Sequence, residues 1–320
     1  MTFELQTQPW TGKRAILLVH GIGSAAKGDY VQLLGEVQQM LGPALDTTVI
    51  YQLWYDQVND WFKAKTDLGG LLTTAIHSLR DTINDPEIGE AIADTIGDLL
   101  WPVLVADARA AVREAYIAQL KQMVADGINA GVPARRQKLS IICHSLGCFH
   151  TYEALHHIAK FPSHALQPAT NEVVFDNVIY MSSPVQLIRT VADNLGSLVP
   201  NKRWLYSVQG DALSIPFETT ITGMQVPSVR RWASITGDLD PVGGFFFRVK
   251  APWAYMDVAK QESRIDDQSA LNIPDKGALA SLLLASRREK LPPLVTANNP
   301  HSWENYVKGH VAELNTWIAT

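Results

Sequence analysis

A serine delivered by an apolar strand to the start of a helix is the part of this chain with the most chemistry in it. Ser140-Ile141-Ile142-Cys143 runs directly into His144-Ser145-Leu146-Gly147-Cys148, and a helical pattern begins at once. A serine on such a sharp, strained turn projects its hydroxyl from the top of a sheet as a nucleophile, the arrangement called a nucleophile elbow. Strand and helix can close up only if the residues two before and two after the serine are small. Gly147 fills the second place, and Cys143 stands where glycine is usual in the first. A second segment, Leu17-Leu18-Val19-His20-Gly21-Ile22-Gly23, ends an apolar strand in His-Gly-X-Gly. Acyl transfer develops negative charge on an oxygen, and a backbone N–H aimed at it is worth about 3 kcal/mol. Leu146, just after the serine, and Ile22, in the glycine loop, are the expected oxyanion donors. His20 reads as a residue bracing that loop, not as a base.

Elbow and glycine loop, in this order along the chain, resemble the α/β-hydrolase superfamily, within its lipase- and esterase-like members. The stretch Ile96-Gly97-Asp98-Leu99-Leu100, followed by Arg109 and Arg113 and then by Ile141 to Gly147, is similar to one group of such hydrolases. The resemblance implies the chain order Ser, then Asp or Glu, then His. In Gly237-Asp238-Leu239-Asp240-Pro241-Val242 the last three residues resemble the family's Asp-Pro-Val, which makes Asp240 the expected acid. Asp238 is the reserve, and Asp211, in Gln209-Gly210-Asp211-Ala212, a third candidate. For the base the resemblance points to His301, in Asn299-Pro300-His301-Ser302-Trp303, before a closing helix; His310, inside that helix, is the alternative. His144 is held by the elbow, and His156 and His157 read as helix surface. The implied chemistry is a Ser145-His301-Asp240 triad. The imidazole takes the serine proton and passes it to the leaving group, while the carboxylate fixes the tautomer, and water then hydrolyses the acyl-enzyme.

Those residues need a rigid frame, and the apolar runs supply one. Ala15–Val19, Thr47–Tyr55, Leu139–Cys143, Val173–Met181 and Val229–Thr236 read as strands, with Leu294-Val295-Thr296 as a possible sixth. Small and polar residues follow several of them, as at the carboxyl ends of parallel strands, where open α/β sheets bind ligands. Helical spacing marks Tyr30–Leu41, Leu146–Ala159 and a closing helix Trp303–Ile318. The expectation is an α/β fold, a mostly parallel sheet flanked by helices as in the α/β-hydrolase fold, in a single domain over residues 1–320. Residues 56–131 are too long for one crossover. They read as a helical cap or insertion, with helices at 68–79, 88–104 and 108–125, the last leading into the third strand. Residues 184–228 read as irregular.

Composition narrows the alternatives. With 320 residues and 47% hydrophobic content the chain can bury a substantial core, and 18% charged residues argue against disorder. A net charge of -5 and the lack of a basic stripe argue against a nucleic-acid partner. No bilayer-length window is free of charge, so no transmembrane segment is expected. The first ten residues do not read as a signal peptide. Two cysteines, Cys143 and Cys148, are too few for a disulfide framework. They are expected to be reduced and held apart by the turn, in keeping with a cytoplasmic setting. Neither His-Glu-x-x-His nor paired Cys-x-x-Cys occurs, and a P-loop and a dinucleotide fingerprint are lacking, so no metal or cofactor is expected. The expected substrate is a small-molecule or lipid-like ester. Thioesterase, amidase, peptidase and acyltransferase chemistry would use the same residues, and a non-catalytic scaffold of the same fold is the competing class. Apolar residues such as Leu71, Leu99 and Trp101 suggest either an acyl-binding lid or ordinary helix packing.

Overall fold

A computed structural model describes residues 3–21, 27–55, 106–160, 173–184, 218–221, 224–227, 229–237, 256–257, 265–267 and 303–319. In chain order its elements are β1 (Arg14–Val19), α1 (Lys27–Leu41), β2 (Thr48–Gln52), α2 (Ala106–Asn129), β3 (Lys138–His144), α3 (Leu146–Lys160) and β4 (Phe175–Met181). The hairpin β5 (Glu218–Ile221) and β6 (Met224–Pro227) follows, then β7 (Val229–Gly237), β8 (Met256–Asp257), β9 (Ile265–Asp267), α4 (Trp303–Gly309) and α5 (Val311–Ala319).

Five strands, β2-β1-β3-β4-β7, lie side by side and parallel. The short β8 and β9 both pair with β7, β8 antiparallel and β9 parallel. Register aligns the carboxyl ends. Val19 pairs with Cys143, Cys143 with Tyr180 and Tyr180 with Ser234. The residues that follow this row, His20-Gly21, His144-Ser145, Met181-Ser182 and Ile235 to Gly237, therefore gather along one edge of the sheet.

Side chains alternate between faces with the strand period of two. Ala15, Leu17, Val19, Ile141, Cys143, Val178 and Tyr180 pack in one core with Val112, Tyr116, Leu120 and Met123 of α2 and Phe149 and Tyr152 of α3. Ile16, Leu18, Ile142, Ile179, Met181 and Ile235 pack in the other with Val37 and Met40 of α1 and with Trp303, Tyr306, Leu314 and Ile318 of α4 and α5. Burial on both faces explains why these strands read as nearly continuous apolar runs. Each fully buried aliphatic side chain contributes roughly 1.5–3 kcal/mol.

The carboxyl-terminal helices are tied to the sheet by polar contacts. Asn177 Nδ2 donates to Ser140 Oγ at 3.1 Å and to the Trp317 carbonyl at 2.9 Å, while Arg231 Nη1 donates to Asn177 Oδ1 at 3.1 Å. Arg231 also lies over the Trp317 ring, 5.5 Å from its centroid. Asn315 Nδ2 donates to the Met40 carbonyl at 2.7 Å, and Arg14 reaches the Ala319 carbonyl.

Three elements differ from expectation. The closing helix is two helices broken at His310, whose N–H turns to the Val307 carbonyl at 3.4 Å, although the apolar periodicity runs across the break. The second strand ends at Gln52; Leu53 N–H still donates to the Leu18 carbonyl at 3.0 Å, beyond which no strand pairing continues. The stretch read as irregular holds the antiparallel β5–β6 hairpin. Of residues 56–131, α2 packs on the sheet and α3, while the helices expected at 68–79 and 88–104 lie outside the described residues, as does the strand at 294–296. Among the described residues, no helix is long and apolar enough to cross a membrane.

Candidate functional site

Ser145 joins β3 to α3 with a φ of +52°. That left-handed conformation disfavours any residue with a Cβ, by roughly 1–2 kcal/mol, and persists only where the surroundings impose it. Here they do. The Ser145 N–H donates to the Met181 carbonyl of the neighbouring strand at 3.0 Å, and the Cys148 N–H donates to the Ser145 carbonyl at 2.9 Å. A Cβ on Gly147 would stand 2.3 Å from the His20 carbonyl oxygen and 2.6 Å from that of Val19, so only glycine lets the first turn of α3 lie against the end of β1. A Cβ on Gly21 would stand 2.6 Å from Ser145 Cβ and 3.2 Å from its Oγ. Thus the glycine loop and the serine touch, although 124 residues of chain separate them. Leu146 is the buried first residue of α3. N–H groups at a helix start have no partner within the helix and carry its positive dipole end, an arrangement suited to developing negative charge.

A buried aromatic group backs the glycine loop. His20 stacks on Tyr55, with ring centroids 4.5 Å apart and an interplanar angle of 8°. The Tyr55 hydroxyl donates to two successive carbonyls, those of His20 and Gly21, each at 2.9 Å. His150, on α3, meets the Tyr55 ring edge-on at 4.7 Å and is fully buried. Among the described residues, neither of its ring nitrogens has a hydrogen-bond partner. Burial, helped by nearby His20, pushes the His150 pKa down to about 3, so this imidazole is neutral and is not a base poised near neutral pH.

Both cysteines are buried free thiols. Their Sγ atoms donate to the Ile179 and Met181 carbonyls, at 3.3 and 3.5 Å. They are less separated than expected. Burial first, and then a hydrogen bond with Cys148, push the Cys143 thiol well above its ordinary value. A buried thiol so strongly held neutral is a poor nucleophile.

Elements on either side complete the edge. His144 packs against Trp303 and Tyr306 of α4, with ring centroids 5.9 and 6.0 Å away. Ser182, at the tip of β4, has a φ of +53°, and its N–H donates to the Ile235 carbonyl at 2.9 Å. On the side of α3 that meets α2, buried Glu153 faces Arg109 at 3.2 Å and Arg113 at 3.4 Å. Burial raises the Glu153 pKa to about 7, against the pull of both guanidinium groups.

Of the residues expected from sequence, Ser145, Leu146 and the glycine at 21 come together. Ile22, Asp240 and His301 lie outside the described residues, as do Asp238 and Asp211. His310 forms the turn between α4 and α5, its Nδ1 3.9 Å from Glu313, seven residues along from Trp303 or roughly 10 Å by helical rise. Tyr55 and His150 were not anticipated. Tyr55 reads as one more apolar strand residue, and nothing in the spacing of either marks a role. Among the described residues, no group of three or more His, Cys, Asp or Glu side chains could hold a metal ion. Compared with known families and with curated proteins, the chain matches no family model and no curated protein.

Proposed function

We propose that this chain is a serine hydrolase of the α/β-hydrolase type, cleaving carboxylic ester bonds through an acyl-enzyme on Ser145. The observation that carries the proposal is the backbone of Ser145, held at positive φ between a parallel strand and a helix, with Gly21 against its side chain and Gly147 against β1. Such strain at a strand tip has a use when a hydroxyl must be held toward a substrate. In this mechanism His301 accepts the serine proton, Asp240 orients and balances the imidazolium, and the amides of Leu146 and Ile22 hold the oxyanion. Two facts of chain connectivity support the partners. β7 ends at Gly237, on the same edge as Ser145 and three residues before Asp240. Trp303 packs on His144, and the two residues back to His301 can span at most about 7 Å. Residues 56–105 are proposed to form the helical insertion, covering the site and favouring a lipophilic acyl group.

Turnover of an activated ester such as p-nitrophenyl acetate tests the proposal. Ser145→Ala should lower kcat by at least about a thousandfold while the circular dichroism spectrum stays that of the wild type. Undiminished turnover by pure, folded Ser145→Ala protein would remove this serine from the chemistry.

A further inference from the structure

Tyr55 is buried, distant in sequence from both Ser145 and the glycine loop, and donates one hydroxyl to two successive carbonyls of that loop. A planar trans peptide sends its C=O and N–H in opposite directions. Holding the carbonyls of His20 and Gly21 on the phenol therefore turns the N–H ends of these two peptide planes, the first of them the Gly21 amide, away from it. Two successive N–H groups turned the same way form a small concavity suited to an anion. Gly21 is also the residue whose Cα lies against Ser145.

From this we infer that Tyr55 is a positioning residue of the oxyanion site: its hydroxyl sets the peptide planes of the glycine loop so that their amides face the oxygen bound at Ser145. The inference rests on the serine hydrolase reading above. The stack of His20 on Tyr55 adds a second restraint, since it locks the phenol ring against the loop it serves. The closely fitting His150 edge holds the ring from the helix side, and its neutral imidazole offers no charge that would draw the hydroxyl elsewhere. Tyr55 does not touch the substrate in this arrangement. Its effect passes through the loop, and belongs to the tetrahedral state, where charge sits on the oxygen, more than to the bound ester.

Tyr55→Phe removes the hydroxyl and keeps the ring. Expected is a fall in kcat of about tenfold to a hundredfold, the effect of misplacing a reacting group slightly, with KM changed less than about threefold. Binding of phenylboronic acid, which forms a tetrahedral anionic adduct on an active serine, should weaken by a similar factor. A purely structural role would lower the melting temperature but would not weaken boronate binding in step with kcat at unchanged KM. If folded Tyr55→Phe keeps wild-type kcat and boronate affinity while Ser145→Ala is inactive, the positioning role is overturned and the serine reading stands. If the wild-type protein neither turns over the ester nor binds boronate, both fall together. Should Tyr55→Phe fail to fold, 3-fluorotyrosine at position 55 keeps the shape and makes the phenol a stronger donor. Boronate binding must then tighten, and an unchanged affinity overturns the inference.

Discussion

At Ser145, function and local stability pull in opposite directions. A φ of +52° is a conformation that glycine adopts without a steric penalty and serine does not. Ser145→Gly should therefore abolish ester turnover yet leave the melting temperature unchanged or higher, since relief of roughly 1–2 kcal/mol of strain offsets the greater freedom of glycine in the unfolded chain. A clear drop in melting temperature would mean that the serine side chain stabilises the fold and is not strained by it. Gly147 makes the opposite case. A Cβ there would meet two backbone oxygens, which cannot move aside as a flexible side chain could. Gly147→Ala should cost about 1–3 kcal/mol in a denaturant titration and displace the serine along with α3. A variant as stable and active as wild type would show that β1 and α3 are less closely fitted than their geometry indicates.

Helix α3 carries the serine at its start and a buried neutral histidine one turn later. His150 has a folded pKa of about 3, below the ordinary 6.5. As pH falls from about 6.5 toward 3, the unfolded chain gains a proton here that the folded chain does not, and stability is lost across that window. His150→Phe should flatten this acid limb, by an amount on the order of 2 kcal/mol near pH 4.5. Parallel pH-dependent unfolding curves for the two proteins would contradict the assignment. At the same scale, the elements with one dominant signal were legible in the sequence: β1, β3, β4 and β7, whose unbroken apolar runs reflect burial on both faces, and α3, announced by the elbow. The break at His310 was not legible, because Tyr306, Val307, Leu314 and Ile318 keep helical spacing on both sides of it. Only Gly309 hinted that the helix could stop. Glu153 escaped notice for a different reason. A carboxylate on a helix reads as solvated surface, and only its burial beside Arg109 and Arg113 shows that it belongs to the packing of α2 on α3.

Over the whole molecule, the parallel sheet does one thing that matters for the proposed chemistry: it brings segments far apart in sequence to a common edge. His20-Gly21, Ser145 and Ser182 stand at three adjacent strand tips, Gly237 ends the next strand, and α4 packs on His144 beside them. The turn at Ser145, its helix and the placing of Gly21 at the end of β1 were readable from sequence because each belongs to a local pattern. Tyr55 was not, since its contact with His20 and Gly21 arises only when β2 is laid beside β1. In the proposed chemistry this edge activates one particular hydroxyl, that of Ser145. Reaction with a fluorophosphonate probe tests it most directly, because an unactivated serine reacts very slowly and an activated one is modified covalently. Intact-mass spectrometry and peptide mapping should show a single adduct on Ser145 in the native protein and none in Ser145→Ala. A native protein that stays unmodified, or an adduct that persists in Ser145→Ala, would contradict the account.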